Sequence, residues 1–269
     1  YYIESLCIYD FEDDDVFSAL YDLLCDDEED TVALQSYFFK ELAKSESLKR
    51  HISRLILTND NIFTKAACAG KVNELSIAVI NAVKSDLAKL EEIASLTAQD
   101  ILADIDDEDI KEILLTLPGW EVGKPLAPLD SHWDRQLDEL IKYHRENGYG
   151  IYAKNIAFTW RDEEITPVNS IDPIRLTDLK NYELQRNKVI DNTESFIAGH
   201  PANNVLLYGD RGTGKSSTVH AILNEYWQKG LRMIEIPKSA VADLSLIREQ
   251  IADSPMKFII YIDDLSFDS

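Results

Sequence analysis

Eight consecutive residues hold the clearest chemical potential in this chain. Gly209-Asp210-Arg211-Gly212-Thr213-Gly214-Lys215-Ser216 satisfies G-x-x-x-x-G-K-[ST] at every fixed position. Glycines let successive backbone N–H groups curl round a phosphate where side chains would block the approach, and they accept the positive φ that such a curl demands. Lys215 supplies a mobile cation for β- and γ-phosphate oxygens, and the Ser216 hydroxyl is a compact ligand for Mg²⁺. A second cluster stands downstream, where the apolar run Lys257-Phe258-Ile259-Ile260-Tyr261-Ile262 ends in Asp263-Asp264. Two carboxylates at the end of a buried strand are costly unless something uses them. Asp263 suits the group that holds Mg²⁺ through water, and Asp264 stands where an acid polarises an attacking water.

Such residues need elements to position them. The run Asn203 to Tyr208 reads as a buried strand feeding the glycine loop, and Val219, Ile222, Leu223 and Tyr226 give Lys215 to Gln228 a helical period. Gly230 then precedes a strand at Arg232 to Ile236, a helix at Ala240 to Ala252, the breaker Ser254-Pro255, and the strand ending at Asp263, buried on both faces. This β-α-β-α-β order predicts a parallel doubly wound sheet. Upstream, Tyr182 to Ala198 reads as a helix stopped by Gly199, and Ile151 to Trp160 with Ile165 to Val168 reads as a hairpin whose Pro167-bearing arm belongs at an edge. His132 to Asn147 is a further helix, closed by Gly148 and separated from what precedes it by a linker with Pro125 and Pro128.

Residues 31–117 have a helical pattern throughout. Val72, Leu75, Val79, Val83, Leu87, Leu90 and Ile93 form one stripe, predicting a long helix from Val72 to Leu96. Thr97 with Asp100 reads as a capping pair, and Ile110 to Leu117 as a last short helix ended by Pro118-Gly119. The expected organisation is a helical domain at 1–120, a linker helix, hairpin and lead-in at 121–180, and an α/β core at 181–269. The chain starts at Tyr1 and stops within five residues of the Asp263-Asp264 pair, so it reads as a fragment.

Charge restricts the partners. The 269 residues are 45% hydrophobic and 28% charged, an ordinary globular composition. Residues 1–120 carry 26 acidic and 10 basic side chains, a net of −16, against 23 and 17, a net of −6, in residues 121–269. An acidic surface of that size repels nucleic-acid phosphates and disfavours a nonspecific grip on DNA by the first half. The runs Glu12 to Asp15 and Asp26 to Asp30 lack the spacing and central Gly of a calcium loop and read as loops and helix starts. Cys7, Cys25 and Cys68 read as reduced core residues, and the five histidines stand singly, which assigns no zinc. No apolar run reaches membrane-span length and no leader is visible, which predicts a cytoplasmic protein.

Taken together, the words Pro201 to Gly209, Arg211 to Ser217 and Asp263-Asp264-Leu265-Ser266-Phe267 resemble the AAA+ superfamily of P-loop NTPases, and more closely a bacterial family of AAA+ ATP-binding proteins known only as a domain of unknown function. Gly148 to Ala153, Asp172 to Leu179 and Tyr182-Glu183 are similar to that family's lead-in. The likeness covers about residues 120–269. It implies an α/β P-loop NTPase fold, incomplete here, after an all-α domain and a β-hairpin. It also implies ATP and Mg²⁺ as cofactors, Gly209, Gly212, Thr213, Gly214, Lys215, Ser216 and Ser217 around the phosphates, and Ser216 and Asp263 at the metal. Lys215 and Asp264 would be catalytic, and Tyr182, in the segment from Leu179 to Glu183, would lie against adenine. Lys180-Asn181 replaces the Ile-Gly usual in the family before that Tyr-Glu. In the AAA+ sheet a further strand lies between the glycine-loop strand and the Asp263 strand, so the sheet is expected to lack a member here.

The leading expectation is an ATPase that remodels or assembles a protein partner recruited by the acidic helical half, as a homo-oligomeric ring in the complete protein. The alternatives are a nucleotide-switched binding module with slow turnover, since Asp264 is one methylene shorter than Glu, and a helicase-loader-like ATPase linked to DNA. A small-molecule kinase ranks last.

Overall fold

The chain of the computed structural model is described at residues 2–25, 30–45, 47–103, 105–168 and 170–263. It divides into two units, Tyr1–His144 and Arg145–Ser269. The segment 121–180 is therefore shared between them.

The first unit is built from helices: α1 (Asp15–Cys25), α2 (Thr31–Leu42), α3 (Leu48–Leu57), α4 (Ile62–Ala69), α5 (Ile77–Ile93), α6 (Ala98–Ala103), α7 (Glu108–Leu114) and the start of α8 (Leu137–Asn147). Phe38, Leu48, Ile52, Ile56, Phe63, Leu87, Leu90 and Trp133 are buried in one core. The helix expected from Val72 starts only at Ile77. A 3₁₀ turn occupies Val72–Glu74, and extended Ser76 then caps α5 by accepting the Val79 amide at 3.3 Å. Thr97 and Asp100 form the expected reciprocal cap, Thr97 N donating to Asp100 Oδ2 at 2.7 Å and Asp100 N to Thr97 Oγ1 at 3.3 Å. The last short helix is shifted toward the N-terminus of the expected one, because Asp107 accepts the Asp109 and Ile110 amides and opens α7. Two carboxylates of α5 hold loops in place. Buried Asp86 accepts the amides of Cys7, Ile8 and Tyr9, and Glu91 accepts those of His132 and Trp133. Cys68 is buried as expected, but Cys7 and Cys25 are exposed, lying on an irregular segment and at the last residue of α1.

The second unit is an α/β layer structure around a four-stranded mixed sheet, β1 (Ala157–Arg161), β2 (Glu164–Pro167), β3 (Leu231–Glu235) and β4 (Lys257–Tyr261), in the order β2-β1-β3-β4. β1 pairs antiparallel with β2 through the two-residue turn Asp162-Glu163, both at positive φ, and β2 with its Pro167 is the edge. β1–β3 and β3–β4 are parallel, with Phe158 opposite Ile234 and Ile234 opposite Ile260. α9 (Gly150–Lys154), α10 (Glu183–Ile197), α11 (Lys215–Tyr226) and α12 (Leu244–Gln250) complete the unit. One face of the sheet packs on α10 and α11 through Leu231, Met233, Ile222, Leu223 and Tyr226. The other packs on α9 and α12 through Phe158, Trp160, Ile234, Tyr152 and Ile247.

Four expectations are corrected. Ile151 to Lys154 is a helical turn rather than the start of the hairpin, because it lays Tyr152 against Phe158 and Phe258, at ring-centroid distances of 5.2 and 5.4 Å. Val205 to Tyr208 is not a strand of the sheet; Leu206 and Tyr208 are 60% and 89% exposed, and β4 has a partner on one side only among the described residues. For the same reason β4 is half-buried along its whole length instead of enclosed on both faces. The helix expected at Ala240 begins as a 3₁₀ segment, Lys238–Asp243.

Arg232, in the inner strand β3, is 4% exposed. Its guanidinium donates to the carbonyls of Tyr152 (2.9 Å), Trp227 (3.0 Å), Leu231 (2.9 Å) and Asn147 (3.4 Å). Arg232→Leu would bury those carbonyls with their donor gone, at about 1–3 kcal/mol each. We expect hydrogen exchange to show residues 145–263 losing at least about 3 kcal/mol of protection while 30–103 are unchanged. Undiminished protection would mean that water replaces the guanidinium.

Candidate functional site

The glycine loop connects residues 203–208, exposed except for half-buried Leu207, to the first turn of α11. Gly209, Gly212 and Gly214 have φ values of 140°, 78° and 80°. A Cβ on Gly212 or Gly214 would meet no atom within 4 Å, so what glycine supplies there is backbone freedom and open space above the amides. Gly214 is the N-cap of α11, in the left-handed conformation, and the helix start faces the loop with its partial positive charge.

Lys215 folds back into this loop. Its Nζ donates to the carbonyls of Gly209 (3.0 Å) and Asp210 (2.8 Å) and reaches Thr213 Oγ1 at 3.4 Å. Thr213 Oγ1 in turn donates to Asp210 O at 2.9 Å. Ser216, the next residue of α11, donates from Oγ to both carboxylate oxygens of Asp263, at 3.3 and 3.4 Å. Residues 47 positions apart therefore meet where α11 begins and β4 has just ended. A hydroxyl and a carboxylate side by side are hard oxygen donors of the kind Mg²⁺ takes, and that ion completes its shell with phosphate and water. Among the described residues no group of three or more His, Cys, Asp or Glu side chains is placed to hold a metal alone.

Tyr261 is a member of this site that the sequence reading passed over as one more apolar strand position. Strand alternation puts residues 261 and 263 on the same face, and the phenol lies within hydrogen-bonding reach of Ser216 and Asp263. Burial first, then donation to Asp263 and the charges of Asp263 and Glu235, push its pKa up to about 12 against the opposing bond from Ser216. The ring also meets His220 edge to face at 6.2 Å. A tyrosine two residues before the acidic pair was the available signal.

The loop's helix is fixed from its far end. Asn224 donates to the carbonyls of Asp172 (2.7 Å) and Ile174 (2.9 Å), and Tyr226 donates to Glu194 at 2.8 Å. Asn192 of α10 exchanges two hydrogen bonds of 2.8 Å with the backbone of Asn203.

The remaining expected residues are not drawn in. Ser217 lies half-buried in the first turn of α11. Tyr182 is 55% exposed at the N-cap of α10, with no hydrogen bond or ring contact to residues 209–217. Asn181 and Tyr182 both have positive φ, 67° and 53°, a conformation that Asn enters more readily than most side-chain-bearing residues. Asp264 lies outside the described residues.

No helix of the described chain is long and apolar enough to cross a membrane. Comparison with known proteins finds that residues 153–269 match the model of a family described as "Protein of unknown function (DUF815)". No curated protein and no solved structure matches the chain. The matched segment, less than half of the chain, is similar to that family and contains β1 to β4, the glycine loop and Asp263.

Proposed function

We propose that the second unit binds Mg-ATP and belongs to a P-loop ATPase of the AAA+ type. The observation that carries this reading is the meeting of Ser216 and Asp263 beside a glycine loop with open amides and the Lys215 ammonium. Backbone amides of Gly212 to Ser216 would hold the β-phosphate and Lys215 the β- and γ-oxygens. Ser216 and Asp263 would hold the metal, which when bound neutralises charge building on the transferred phosphoryl group. Asp264 is assigned the orientation of the attacking water. Tyr261 keeps Asp263 turned toward Ser216 by donating to it. Remodelling of a protein partner by the complete protein, a ring assembly, docking through the acidic helices and a cytoplasmic location all belong to this proposal. The acidity of residues 1–120 favours a protein partner over nucleic acid.

Calorimetric titration with Mg-ATP tests it. Lys215→Ala should abolish measurable binding, because phosphate charge in the loop is left uncompensated. An unchanged affinity would sink the assignment.

The acids should separate. Asp263→Asn is expected to weaken Mg²⁺-dependent binding and turnover of the complete protein together, whereas Asp264→Asn spares binding and slows hydrolysis. Tyr261→Phe should raise the Mg²⁺ concentration needed for half-maximal binding while nucleotide binding in chelator stays as it was. Parent behaviour in all three variants would show the carboxylates to be ordinary strand-end residues.

A further inference from the structure

A second hydrogen-bonded constellation lies in the first unit and has no part in the nucleotide reading. Ser45, in the turn after α2, places Oγ 2.9 Å from His51 Nδ1, and His51 Nε2 lies 2.8 Å from Asp14 Oδ1. The same Asp14 oxygen accepts the Phe17 amide at 2.9 Å, which pins the carboxylate at the start of α1. Burial pushes Asp14 upward, but hydrogen bonds from His51 and Phe17 outweigh it and hold the group below the usual carboxylate range. An ionised carboxylate only accepts, so Nε2 carries the imidazole proton and Nδ1 is left to receive the Ser45 proton. His51 is 6% exposed, which shields this chain of donors from competing water. Ser45 is half-buried and lines a cavity of about 700 Å³, together with Phe39, Leu42, Trp120 and Arg50.

A tie between α1 and α3 would need only His51 and Asp14. The serine hydroxyl at a cavity wall, with the imidazole lone pair aimed at it, is surplus to that purpose and has the form of a nucleophile, a base and an orienting group. We propose that Ser45 is an activated nucleophile and that the cavity takes carboxylic esters with an apolar or aromatic acyl group. Phe39, Leu42 and Trp120 offer that group an apolar wall.

Ser45 Oγ bonds to the acyl carbon while its proton moves to His51 Nδ1. The bond from that carbon to the alkoxide breaks, and the alkoxide leaves as an alcohol with the proton from His51. Water then gives a proton to Nδ1 and adds to the acyl carbon, and Ser45 departs with that proton, so ester and water become acid and alcohol.

The test uses the whole chain, a fluorophosphonate probe mapped by peptide mass spectrometry, and p-nitrophenyl butyrate as ester. One adduct on Ser45 is expected, absent after heat denaturation and absent in Ser45→Ala. Ester hydrolysis should fall at least about 100-fold in Ser45→Ala and in His51→Gln, the loss typical of a missing nucleophile or base. His51→Gln could loosen α1 from α3, so the half-exposed Ser45→Ala, with its thermal midpoint checked against the parent, is the deciding variant. No adduct on Ser45, or equal hydrolysis by a folded Ser45→Ala chain, would overturn the proposal and leave the constellation as a tie between helices.

Discussion

A guanidinium inside a sheet layer is tolerable only where the backbone supplies enough acceptors, and the second unit is arranged to do so around Arg232. The carbonyls it receives come from α9, from the 3₁₀ turn after α11, from the end of α8 and from its own strand. Helix ends carry unsatisfied carbonyls and a partial negative charge, so one cation meets a need that three separate chain segments share. β3, on which it sits, is also the strand from which both β1 and β4 take their register. Displacing Arg232 would therefore disturb the end of α11 and the line of β4 together, and these set where Ser216 and Asp263 lie.

The glycine loop is held differently from what strand pairing would give. Residues 203–208 contribute no ladder hydrogen bonds, so the loop's position depends on α11, fixed by Asn224, by Tyr226 and by packing on Leu231 and Met233. Asn192 ties the approach at Asn203 from α10. A helix packed along most of its length can hold its N-terminal turn in place with the incoming chain unpaired, since its own hydrogen bonds are internal. Leu206 and Tyr208 are exposed, and among the described residues β4 has a paired strand on one side only.

Local chemistry was legible in the sequence where a residue type answers a backbone demand. Glycines fell at positive φ in the loop, Thr97 and Asp100 capped each other, and Pro167 sat at the edge. The parallel pairing of β3 and β4 followed from their buried runs and the helix between them. Tertiary context decided the rest. Ile151 and Tyr152 have strand propensity, yet covering Phe158 with an aromatic ring required a helical turn. Residues 205–208 have the composition of a buried strand without a neighbour to bury them. Tyr261 was hidden because a tyrosine in an apolar run is ordinarily core, and the tie of Ser45, His51 and Asp14 joins three elements whose sequence spacing carries no period.

The loop conformation also bears on what it can select. An ammonium has three donors, and Lys215 directs all of its contacts to the loop's own oxygens, two carbonyls and the Thr213 hydroxyl. A ligand entering the cradle must draw the ammonium away from these, and the carbonyls it leaves are at an exposed surface where water takes over at little cost. A neutral ligand would gain nothing by the exchange, because its acceptors are no better than the carbonyls displaced. A ligand with dense negative charge gains charge-assisted bonds of roughly twice the strength. Folding the lysine inward thus gives its ammonium partners that only a stronger, negatively charged acceptor would outbid.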